Sequence, residues 1–171
     1  MKKLIVAFAC LAASLSIYAE KTEDMYVMRH ITQGSLFFIS EIIFPSTDSK
    51  FSLPFDITYL NTSDSVSIKL TAPSHALTTV DSVALVLEDS RYVCPVVKSI
   101  YKEKEKKHWI HRCDCAFAYE AVQRCFVQPT APQIVVYTPV AEQHYQLSEK
   151  KWQALHQHLV EIFMLIDASK R

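Results

Sequence analysis

One glycine, Gly34, serves the whole chain of 171 residues, and that scarcity limits the possible architectures more than any motif does. Glycine takes positive φ without steric cost and lets a second backbone or a phosphate approach closely. Phosphate-cradling loops with repeated glycines are therefore excluded, as is the Gly-x-Ser-x-Gly elbow of serine hydrolases. The chain must reverse direction with other turn formers. Ser46-Thr47-Asp48-Ser49, Asn61-Thr62-Ser63-Asp64, Pro73-Ser74-His75 and Glu88-Asp89-Ser90 supply them.

Between these turns lie runs rich in β-branched and aromatic residues: Leu36–Phe44, Phe51–Leu60, Val66–Thr71, Val80–Leu87, Arg91–Tyr101 and Gln133–Thr138. Met25–His30 reads as an opening strand with side chains alternating in and out. Short strands at this spacing predict a mainly β fold, an antiparallel β-sandwich or partly closed barrel. The end of the chain differs. Ser148 is placed to cap a helix, and Trp152, Leu155, Leu159, Ile162, Phe163 and Ile166 recur at helical spacing. An amphipathic helix over about 148–166 is expected to pack on the sheet. The competing use of its apolar stripe is a docking face for a partner or a lipid surface.

The start of the chain reads as an address. Lys2 and Lys3 precede an uncharged stretch from Leu4 to Ala19, and charges resume at Glu20. These are the parts of a secretory signal peptide, with cleavage placed after Ala19. A membrane span needs roughly 20 apolar residues; this stretch is shorter, and nothing later approaches that length. Residues 1–19 are thus expected to be removed, leaving 20–171 as one disulfide-bonded β-rich domain with no transmembrane segment. The expected location is the periplasm or cell envelope, with secretion as the alternative. The full chain balances 18 basic against 18 acidic side chains, and loss of Lys2 and Lys3 leaves the remainder mildly acidic. Such a balance offers no field for nucleic acid.

Cys94, Cys113, Cys115 and Cys125 remain after cleavage, and an even number in an exported domain points to bridges. The charged run Lys102–Lys107 suits the exposed end of a hairpin between strands Arg91–Tyr101 and His108–Tyr119. One register of that hairpin sets Cys94 opposite Cys115, and another sets it opposite Cys113. The preferred pairs are Cys94–Cys115 with Cys113–Cys125; the alternative is Cys94–Cys113 with Cys115–Cys125. A Cys113–Cys115 ring would distort a strand.

The same region offers a metal reading, since His108, His111, Cys113, Cys115 and Cys125 carry imidazole and thiolate ligands for zinc or copper. No Cys-x-x-Cys spacing supports it, and strand alternation sends His108 away from the others. Met25, Met28 and His30 are a weaker copper set, set aside in favour of an ordinary strand. The chain carries no local catalytic pattern, so no catalytic, cofactor or metal residue is assigned. Asn61-Thr62-Ser63 meets the N-glycosylation rule within a predicted turn. The expected role is non-enzymatic: binding or assembly with a partner protein, either another envelope protein or a second copy, through a strand edge or the final helix. The alternatives are zinc or copper handling and a hydrolase with a dispersed site.

Overall fold

The strands form where apolar side chains alternate between the turn formers, and they pair into two antiparallel sheets. The computed structural model describes Thr22 and residues 24–170; the expected leader, residues 1–19, lies outside them. The large sheet contains β1 (Tyr26–Ile31), β2 (Gly34–Pro45), β3 (Ser52–Leu60), β4 (Ser65–Ser74), β8 (His108–Ala118) and β7 (Val97–Glu105), in that spatial order. The small sheet runs β10 (Glu142–Gln146), β9 (Gln133–Tyr137), β5 (Ser82–Val86), β6 (Arg91–Cys94). Helices α1 (Tyr119–Val127) and α2 (Glu149–Ser169) pack with these sheets. The sheets do not close into a barrel, so the sandwich expectation describes the molecule.

One face of the large sheet is the floor of the core. Phe37, Ile39, Ile42 and Phe44 of β2 lie in register with Tyr59, Ile57, Phe55 and Leu53 of β3, and all are buried. Between Ile39 and Ile42 the register shifts by one residue. That bulge returns Ile42 to the inner face, which strict alternation would have denied it. Val66, Ile68 and Leu70 of β4 and Cys113, Cys115 and Phe117 of β8 extend the floor.

The small sheet and the helices form the roof. Val83 and Leu85 of β5 and Ile134 and Val136 of β9 face inward. Trp152 of α2 is fully buried, edge-on to Phe44 with ring centres 6.4 Å apart and 6.3 Å from Phe126 of α1. Leu159, Ile162, Phe163 and Ile166 follow it into the core. Each such side chain stabilises the fold by about 1.5–3 kcal/mol. The stripe foreseen on the final helix is therefore core, and the helix runs three residues past the expected end. Ser148 sits at its N-cap position but makes no side-chain capping bond.

Three elements differ from the reading of the sequence. The run Arg91–Tyr101 is two strands, because Pro95 lacks an N–H for the ladder and the chain there crosses from the small sheet to the large one. The strand beginning at His108 stops at Ala118, and Tyr119 opens α1. β10 was not foreseen, since Glu142, Gln143, His144 and Gln146 carry little strand signal; it forms by pairing with β9.

Candidate functional site

The β7–β8 hairpin exists, with Glu105 opposite His108 across the turn Lys106-Lys107. Its register differs from both expected ones. Val97, not Cys94, lies opposite Cys115, and Ser99 lies opposite Cys113. Cys94 instead ends β6 in the small sheet, opposite Val83. It still lies near Cys115, because β6 and β8 are in contact where the sheets meet. Cys94 donates to the Val96 carbonyl at 3.3 Å. Cys125 lies on α1 rather than on a strand.

All four thiols are buried. Burial pushes Cys113 up to about 12, against the opposing pull of Lys102 and Arg112. Cys125 is likewise raised to about 12 by burial, opposed by Arg124. Burial raises Cys115 as well, reinforced by Cys94 and Cys113. Thiols held this strongly protonated are poor nucleophiles, since that role belongs to the thiolate.

His111 shares the inner face of β8 with Cys113 and Cys115. The Val80 backbone N–H donates to its Nδ1 at 3.2 Å, and Nε2 lies 2.8 Å from Ser99 Oγ. A backbone N–H only donates, so Nδ1 accepts and Nε2 carries the proton. Burial, with Lys102 nearby, holds the ring below the usual histidine range, so it is neutral. Both nitrogens are thus committed to the fold. His108 lies on the opposite face of β8, its ring 5.6 Å from that of Phe51. Among the described residues no three His, Cys, Asp or Glu side chains gather as a metal-ligand set. Met28 and His30 share a face of β1, with Met25 just before the strand; the His30 ring meets Ser35 Oγ at 3.0 Å.

The other histidines are also held by the structure. The His75 ring lies tilted beside Phe51 with centres 4.8 Å apart, His144 meets Gln133, and His156 meets the Val127 carbonyl at 2.8 Å. Thr22 Oγ1 lies 2.6 Å from His158 Nδ1 and donates to Glu161 at 2.5 Å. In a catalytic relay the imidazole stands between carboxylate and hydroxyl. Here the hydroxyl stands between the other two, an arrangement that fastens the start of the domain to α2.

A further cluster closes the far end of α2. Tyr119 donates to Asp167 at 2.8 Å, and the Lys170 ammonium lies 3.1 Å from the centre of the Tyr119 ring. Tyr59 stacks on Tyr119, and burial with Asp167, Glu120 and Asp64 raises its phenol to about 12. Asn61 belongs to this end too. Its amide donates to the Ser169 carbonyl at 2.7 Å while its oxygen accepts from the Ser35 N–H at 2.8 Å. The nitrogen that a glycan would take is thereby engaged in tertiary structure.

The sheet edges contrast sharply. β6 and β10 are short. β7 is long, but it carries Lys98, Lys102, Glu103, Lys104 and Glu105 and a register shift between Ser99 and Tyr101. Alternating charge, a bulge and shortness are the devices that keep an edge from pairing with another chain. β1, six residues long, has neither the bulge nor the alternating charge. Its one charged residue is Arg29, and Val27, Met28 and Ile31 are 52%, 44% and 42% exposed. Phe38 beside it is also partly exposed, under the Arg29 guanidinium. No signal in the sequence marks β1 as an edge, because edge status depends on which strands its neighbours choose. No protein-family model, curated protein or solved structure matches the chain.

Proposed function

We propose that this protein is exported to the periplasm or cell envelope and acts there by binding a partner protein along the β1 edge, not by catalysis. The observation that carries the reading is the unguarded state of β1 beside the guarded β7. An extended segment of the partner adds as a further strand, with main-chain hydrogen bonds for affinity and Val27, Met28 and Ile31 for selectivity. The final helix is the less suited route, since its apolar stripe is already in the core. No helix among the described residues is long and apolar enough to cross a membrane. In an oxidising compartment Cys94 and Cys115 are the pair to join, and that bridge would fasten the small sheet to the large one.

The test compares wild type with Met28→Pro as bait in envelope extract under cross-linking. Proline at an outward-facing edge position leaves the host sheet intact but removes the N–H and obstructs an added strand. A partner recovered by wild type and lost by the variant is then purified. Bound to the pure protein, it should slow hydrogen exchange at the Tyr26, Met28 and His30 amides. Identical capture by both baits, with no protection of those amides, refutes the reading.

A further inference from the structure

The hydrogen-bond phase of β1 identifies an occupant for its edge. The Ser40 N–H donates to the Met25 carbonyl at 2.8 Å, and Ile31 and Gly34 face each other across the turn Thr32-Gln33. Alternate residues of an antiparallel strand exchange both bonds with the neighbour. Val27, Arg29 and Ile31 therefore bond to β2, while Tyr26, Met28 and His30 point their N–H and C=O groups away from the sheet. An added strand must satisfy that outward set.

We infer that the occupant is a second copy of this chain, paired β1 to β1 antiparallel about a two-fold axis through Met28; this rests on β1 being the recognition edge. In that register Met28 opposes Met28 of the second copy, and Tyr26 opposes His30 in both directions. Every outward N–H and C=O of both strands finds a partner. Moving the axis to Arg29 sets the two guanidinium-bearing residues directly opposite each other and leaves Tyr26 outside the pairing. Moving it to Val27 leaves His30 outside. Only the Met28 register pairs the whole outward set and keeps like charges apart. It also lays Val27 against Arg29 of the other copy and covers Met28 on the neighbouring face. A closed two-fold contact uses the same surface twice, and this edge is complementary to itself in the way such a contact requires. Two six-stranded sheets become one.

Light scattering and amide exchange on the exported form test this. Wild type should dimerise with rising concentration, and in the dimer the Tyr26, Met28 and His30 amides should become as slow as those of Val27 and Arg29. Met28→Pro should be monomeric with fast exchange at Tyr26 and His30. Met28→Lys keeps every backbone group but opposes two ammonium groups. It should weaken dimerisation by about fivefold or more, with partial recovery in high salt. A wild type that stays monomeric at all concentrations overturns the second copy, as does a dimer that leaves those three amides fast or is indifferent to Met28→Lys. If a recovered envelope partner protects the same amides on a monomer, the β1 reading stands and only this occupant falls. If nothing protects them, both fall.

Discussion

Gly34 occupies the one position in the first hairpin that no other residue would fill comfortably. Its φ is +142°, and a Cβ there would lie 2.4 Å from Asn61 Oδ1 and 3.0 Å from the Thr62 methyl. Gly34→Ala should therefore cost about 1–3 kcal/mol in denaturant unfolding, the range for a strained backbone position. It should also free the Asn61 amide from Ser169, which amide exchange at the end of α2 would show. His111 makes a second residue-scale expectation. Its folded pKa lies below its unfolded one, so the unfolded chain binds the proton more readily. The contribution to stability is complete above the ordinary histidine pKa of about 6.5. It is lost as pH falls below that value towards the lower folded pKa. His111→Gln keeps an acceptor for the Val80 N–H and removes the titration. Unfolding free energies at pH 7.5 and 5.5 should converge for the variant more than for wild type.

At the scale of elements, helix α2 and the β7–β8 hairpin show different balances. α2 is held by packing: Trp152 is fully buried against Phe44 and Phe126, while Met164 and Leu165 stay exposed singly. Trp152→Ala should destabilise the domain by about 3–5 kcal/mol, read from the urea midpoint. Met164→Ala should shift that midpoint little. The hairpin has a local conflict. Lys106 has φ +52°, the sole non-glycine residue with positive φ among those described. Glycine is favoured there in a two-residue hairpin turn. Lys106→Gly should stabilise the hairpin by up to about 1 kcal/mol, the relief of the left-handed conformation being partly offset by a freer unfolded chain. Lys-Glu alternation runs along β7 up to this turn. Charge on this strand keeps the edge solvated.

For the molecule as a whole, the seam between the sheets is the point where the pairing of thiols matters. A bridge between Cys94 and Cys115 would close a loop containing β7 and the part of β8 paired with it, worth about 3 kcal/mol in the chain-entropy account. Reductant should lower the unfolding midpoint of the exported protein, and Cys94→Ser should abolish that bridge's share of the effect. Alternation and turn chemistry made most strands legible in the residues themselves. Phe51–Leu60 and Gln133–Thr138 were read nearly to their ends, because each buries one face or a short apolar run. The helical spacing from Trp152 to Ile166 was equally plain. These signals are local, set by side-chain direction and backbone sterics, and a chain carries them whatever its neighbours. The split at Pro95, the strand β10 and the register that sets Val97 opposite Cys115 were not legible. Nor was the candidate site, because whether β1 lies at an edge or inside a sheet depends on pairings distant in sequence. Local chemistry determined which segments would be strands and helix. Only the tertiary structure decided which backbone groups were left facing outward, since hydrogen-bond pairing between strands is a property of the assembled sheet.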